Sequence, residues 1–167
     1  VVWRDIYKTV EENEDNYDKR YHAWFITKEY NGKSKDILSK IMDESNDASE
    51  YTGGAYFGFS MIRIPEMYYI MAEALLEEGD RERARDYLDI VVSARGMVKF
   101  VDRDTGKDIT LEDIMNERRK ELFGEGQWWF CLKRLNRDIY VHALDATLKG
   151  GDKIYTLPLP TEELDPR

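Results

Sequence analysis

The feature that most constrains this chain is residues 62–96, where apolar side chains recur at helical spacing on both sides of a Gly79-Asp80 break. Pro65 fits the first turn of a helix, where its missing N–H is not needed. Met67, Ile70, Met71, Ala74 and Leu75 then form an apolar series with helical period. Gly79 supplies a stop and Asp80 an N-cap for a second helix. There, Ala84, Tyr87, Leu88, Val91 and Val92 make one stripe, ended by Gly96. Small Ala72, Ala74 and Ala84 let the two axes approach closely. The pattern predicts an αα-hairpin about as long as one tetratricopeptide-type repeat, whose helix pairs stack into a solenoid.

The flanking stretches are read by the same signals. Met97-Val98-Lys99-Phe100-Val101 and Asp108-Ile109, around Asp104-Thr105-Gly106, predict a hairpin-like excursion. Thr110 with Asp113 resembles a capping box, so a helix is expected from Leu111, with Leu111, Ile114, Met115, Arg118 and Leu122 facing inward. Gly124 and Gly126 break it. A further helix is expected over 127–135, with Trp129, Leu132 and Lys133 among its facing positions, and a short one over 139–148 before Gly150-Gly151. Leu157-Pro158-Leu159-Pro160 forces an extended path, with one short turn expected over 161–165. Upstream, Asn31-Gly32 reads as a β-hairpin turn, and 51–60 as a glycine-spaced aromatic loop. The expected architecture is a single, mainly α-helical, tetratricopeptide-like domain with irregular loop and small hairpin insertions. In it an aromatic, loop-rich segment, 1–61, packs on a helical region, 62–167.

Composition removes several function classes. The 167 residues carry 25 Lys+Arg against 34 Asp+Glu, a net charge of −9, which argues against nucleic acid as a partner. No stretch approaches the roughly 18–20 apolar residues of a bilayer span. Four Trp and eleven Tyr argue against disorder. The one cysteine, Cys131, lies in the apolar run Trp128-Trp129-Phe130-Cys131-Leu132 and reads as a small buried hydrophobe. The chain begins at Val1 without a signal peptide, as an expressed piece of a longer chain or a mature form would.

Few constellations carry chemistry. Glu117, Glu121 and Glu125 recur every four residues, and a carboxylate pair could serve glycoside hydrolysis. Arg118, Arg119, Lys120 and Arg134 lie among them, so a Glu–Arg network tying two helices is the favoured reading. Asp102, Asp104, Asp108 and Glu112 lack the EF-hand pattern, with Gly106 and Lys107 in the wrong places. His22 and His142 have no partners at zinc spacing, and no phosphate loop, nucleophile elbow or His-Glu-x-x-His motif occurs. No metal or cofactor is expected. The aromatic residues stand out: Trp3, Tyr7, Tyr21, Trp24, Tyr30, Tyr51, Tyr56, Phe57 and Phe59 crowd the first third. Flat rings with polar neighbours suit the apolar C–H faces of sugars, although most of these rings are expected to pack loops onto helices. Trp24, Tyr51, Tyr56 and Phe57 are the candidate stacking residues.

Three blocks resemble the SusD/RagB family in the family's order. They are Arg63-Ile64-Pro65-Glu66-Met67-Tyr68-Tyr69-Ile70-Met71-Ala72-Glu73-Ala74, then Asn116-Glu117-Arg118-Arg119-Lys120-Glu121-Leu122 with Glu125-Gly126, Trp129-Phe130 and Leu132-Lys133-Arg134, and last Leu157-Pro158-Leu159-Pro160 with Glu163-Leu164. Asp18-Lys19-Arg20-Tyr21 is similar to a further, weaker element. Pro65 stands where a small residue is usual, and Cys131 where Asp is common. The resemblance implies the C-terminal portion of an outer-membrane, cell-surface lipoprotein of Bacteroidetes, lipid-anchored at an N-terminus this chain lacks. It implies non-catalytic binding of oligosaccharide or polysaccharide, delivered to a TonB-dependent transporter of the SusC type. In the family the motif residues are structural, and ligand contacts lie in variable loops. The alternatives are a peptide- or protein-binding helical module and a glycoside hydrolase using Glu117 and Glu121.

Overall fold

A computed structural model describes residues 6–7, 17–40, 62–103 and 108–156. The chain divides into two compact units, Val1–Gly124 and Glu125–Arg167. The described residues are mainly α-helical with two small strand hairpins.

In the first unit, helix α1 (Lys19–Trp24) leads into an antiparallel hairpin of β1 (Phe25–Tyr30) and β2 (Lys33–Leu38). Its turn is Asn31-Gly32, both with positive φ, as expected of that dipeptide. Helices α2 (Ile64–Glu77) and α3 (Arg81–Ala94) form the expected αα-hairpin. Both end in Schellman motifs: Gly79 and Asp80 N–H groups bond to the Leu76 and Leu75 carbonyls, and Gly96 and Met97 to those of Ser93 and Val92. Gly96 is also a point of close approach. Its φ is +84°, and an added Cβ would lie 2.8 Å from the Tyr17 carbonyl oxygen. Asp80 caps α3 by accepting the Arg83 N–H.

The core joins Tyr69, Ala72 and Leu75 of α2 to Ala84, Leu88, Val91 and Val92 of α3, together with Met97, Ile109 and Ile114. Burying each large aliphatic side chain contributes about 1.5–3 kcal/mol. The α3 stripe is the expected one. The α2 face is not. Met67, Ile70, Met71 and Ala74 are exposed, whereas Tyr69, Ala72, Glu73 and Leu75 are buried. Helix α2 is apolar around most of its circumference, so periodicity leaves its inward side undecided. Packing on α3 selects the side carrying Tyr69, Ala72 and Leu75, which join Ala84, Leu88, Val91 and Val92 in the core.

The hairpin-like excursion after α3 is also corrected. The described part of 97–109 holds no strand but a 3₁₀ turn, Phe100–Asp102. The buried carboxylate of Asp89 accepts the N–H groups of Phe100 and Val101. Donors used this way are withdrawn from any strand ladder. Residues 104–107 lie outside the described residues. Helix α4 (Leu111–Glu121) starts at the expected capping box, with Thr110 and Asp113 bonded reciprocally.

In the second unit, α5 (Gln127–Arg134) buries Cys131, while the expected facing residues Trp129 and Lys133 are exposed. Trp129 instead sets one side of its ring against Tyr155, with centroids 5.3 Å apart. The expected helix over 139–148 is an antiparallel pair, β3 (Ile139–Val141) with β4 (Ala146–Leu148). Beta-branched Ile139, Val141 and Thr147 suit strands, and Asp145 takes the positive φ of the turn. A single turn, α6 (Asp152–Tyr155), follows. The expected extended and turn segments at 157–165 lie outside the described residues.

Candidate functional site

Two places carry the sequence's functional candidates, the carboxylates of α4 and the ring of Trp24. The capping box sets the register of α4 so that Glu117 and Glu121, one turn apart, both point inward. Their side chains are 4% and 0% exposed. Buried carboxylates survive ionised only when compensated. Arg20 donates to Glu117 at 2.7 Å, and Lys120 to its other oxygen at 2.8 Å. Glu121 accepts two bonds from Arg95, at 2.7 and 2.9 Å, and one from Arg63 at 2.8 Å. Arg20 Nη1 stands 3.5 Å from Glu121.

Arg20, 1% exposed, is the hub. Asp18 caps α1 through the Arg20 N–H and takes two bonds from the Arg20 guanidinium, at 2.8 and 2.6 Å. The Lys19 N–H bonds to the Arg95 carbonyl, so α1 and the end of α3 meet beside the cluster. The network is of the Glu–Arg kind that the sequence favours, but most of its bases come from α1, the end of α3 and the start of α2. Of the neighbouring bases, Lys120 joins it. Arg118 follows Glu117 by one residue, is turned about 100° around the helix, and pairs with Glu66 of α2 at 2.7 Å. The segment Asp18-Lys19-Arg20-Tyr21 was the sequence signal for the missing hub.

This setting decides the chemistry of the pair. Burial on its own would raise the pKa of Glu117, but the charges of Arg20 and Lys120 outweigh it and hold the carboxyl below its usual 4.5. Burial likewise opposes ionisation of Glu121, and its bonds and charge interactions with Arg95, followed by Arg20 and Arg63, again win. A carboxyl locked as an anion and closed to solvent has no proton to give a glycosidic oxygen.

Trp24 lies at the end of α1, half-buried. Its ring carries Lys40 Nζ at 3.8 Å from the centroid and the Arg63 guanidinium at 5.9 Å. Lys40 donates to the Glu121 carbonyl at 2.6 Å, so one side of the ring is tied to the end of α4. Tyr51, Tyr56 and Phe57 lie outside the described residues, as do Trp3 and Phe59. Of the other rings of the first third, Tyr7 and Tyr21 pack with Phe25 and Phe123, Tyr21 and Phe25 stacked at 5.5 Å. The Tyr7 hydroxyl donates to the Lys120 carbonyl. Tyr30 is 63% exposed, with Lys35 over its ring.

His22 makes edge contacts with Tyr17 and Tyr21. Among the described residues no three His, Cys, Asp or Glu side chains come together as metal ligands, and no helix is long and apolar enough to cross a membrane.

The family model described as SusD family matches residues 37–165, most of the chain. No curated protein and no solved structure matches it. That family consists of cell-surface outer-membrane lipoproteins for glycan-binding nutrient uptake, generally non-catalytic.

Proposed function

The chain belongs to the SusD family, and on that premise we propose that it binds oligosaccharide or polysaccharide nutrients at the cell surface without altering them. It passes them to a TonB-dependent, SusC-like outer-membrane transporter. The observation that carries this reading is the family match over residues 37–165. The state of Glu117 and Glu121, the two carboxylates that a hydrolase reading requires, supports it, because both are consumed in buried ion pairs.

On this reading the full-length protein is held by an N-terminal lipid anchor. Its helical region, 62–167, extends a tetratricopeptide-like stack on which the segment 1–61 presents its rings. Trp24, Tyr51, Tyr56 and Phe57 stack on sugar faces. For Trp24 the ligand takes the side of the ring away from Lys40.

A peptide- or protein-binding reading draws on a different observation. Ile64, Met67, Ile70 and Met71 leave an exposed apolar stripe along α2, with exposed Ile62 just ahead of it. Affinity electrophoresis through gels cast with starch, xylan and galactomannan separates the two. Retardation by at least one polysaccharide supports glycan binding, and retention on immobilised peptides alone supports the rival. Trp24→Ala with Tyr56→Ala should abolish the retardation. Full binding in that variant removes the two rings from the site.

A further inference from the structure

A cleft of about 390 Å³ opens on the outer side of α3, within the first unit. That volume falls in the roughly 300–1,000 Å³ range of small-molecule sites. One wall is a single helical face, Asp86, Asp89, Ile90 and Ser93, and the other is made by Lys99 and Val101. The second wall is held firmly. Asp89, 4% exposed, binds the Phe100 and Val101 N–H groups, and Arg103 stacks over the Phe100 ring at 3.6 Å while donating to the Val98 carbonyl.

Three polar groups face the cleft from this frame. Among the described residues, the Asp86 carboxylate and the Lys99 ammonium make no hydrogen bond or ion pair. Ser93 Oγ donates to the Ile90 carbonyl at 3.3 Å, which leaves its lone pairs to accept. Between them Ile90 and Val101 are 48% and 51% exposed. An anionic acceptor, a cationic donor and an accepting hydroxyl around two aliphatic surfaces match a pyranose ring, whose hydroxyls lie at its edge and whose C–H groups form its faces. Asp86 and Asp89 stand against Lys99 in the lining, so the cleft holds one negative charge in excess, which together with the chain's net charge of −9 disfavours an acidic sugar.

We propose that this cleft is a subsite for one hexose unit of a neutral polysaccharide, sharing no residue with the Trp24 site. It rests on the glycan-binding reading. Asp86 accepts two ring hydroxyls, Lys99 donates to a third, and Ile90 and Val101 cover one C–H face.

The full chain is run through starch, xylan and galactomannan gels beside an Asp86→Asn, Lys99→Met variant and a Ser93→Trp variant that fills the cleft. All three positions face solvent or the cleft, and circular dichroism checks that each variant is folded. Loss of hydrogen bonds to charged groups should weaken binding by roughly tenfold or more in the double variant. Ser93→Trp should weaken it similarly. If the unaltered protein is retarded and both folded variants match it, the subsite is refuted and the glycan reading stands. If the unaltered protein is retarded by none of the gels, both fall.

Discussion

Replacing Glu121 by Gln removes one charge from the centre of the first unit and almost no volume. The side chain is fully buried, and it answers Arg63, Arg95 and Arg20. Removing one member of a buried ion pair typically costs about 3–5 kcal/mol, because the partner is left uncompensated in a medium that solvates it poorly. Two features place Glu121→Gln near the low end. Arg63 and Arg95 are 20% and 28% exposed and can turn toward water, and Arg20 keeps Asp18 and Glu117. The expected loss is about 3 kcal/mol, a large share of the roughly 5–15 kcal/mol that holds a domain folded. In urea, with a slope of about 1–3 kcal/mol per molar, the midpoint should fall by roughly 1–3 M. The melting temperature should fall by about 6–12 °C. Glu66→Gln is the control, since the Glu66–Arg118 pair is 16% and 12% exposed and, among the described residues, single. It should cost clearly less. A Glu121→Gln loss below about 1 kcal/mol, or one no larger than that of Glu66→Gln, refutes the view that this cluster holds α1, α3 and α4 together.

The same pair sets a pH dependence. Both carboxyls are held below their ordinary 4.5 in the folded protein, so the stability they contribute is present above that value and is lost as pH falls through the lowered folded pKa. Urea midpoints measured from about pH 7 down to about pH 3 should decline on the acid side, and a Glu117→Gln, Glu121→Gln variant should give a flatter profile; parallel profiles contradict the assignment. At Gly124, φ is +80° and a Cβ would overlap Leu38 of the hairpin, whereas Gly126, at φ +76°, has open space. Ala at Gly126 should cost about 1–2 kcal/mol for the left-handed backbone alone, and Ala at Gly124 more than that; equal losses would show that Leu38 yields freely.

The elements read correctly from sequence are those whose instructions lie within a few residues of where they act. Asp80 meets the Arg83 N–H, Thr110 and Asp113 close on each other, Asn31-Gly32 supplies its own turn, and Gly79 and Gly96 end their helices. The family's blocks were equally legible, since they are strings of neighbours. The strand pair over 139–148 shows the limit of that reading, because short apolar runs serve helix and strand alike.

Local sequence determined where helices α2, α3 and α4 begin and end and that their carboxylates and bases are abundant. Tertiary structure alone decided which side of α2 turns inward, because that helix is apolar nearly all round and only contact with Ala84 and its neighbours ranks the sides. It alone matched Glu117 and Glu121 to Arg20, Arg63 and Arg95, residues 26 to 97 positions away whose proximity no spacing rule encodes. A buried charge takes whatever counter-charge the packed chain delivers to it, and that delivery is a property of the fold.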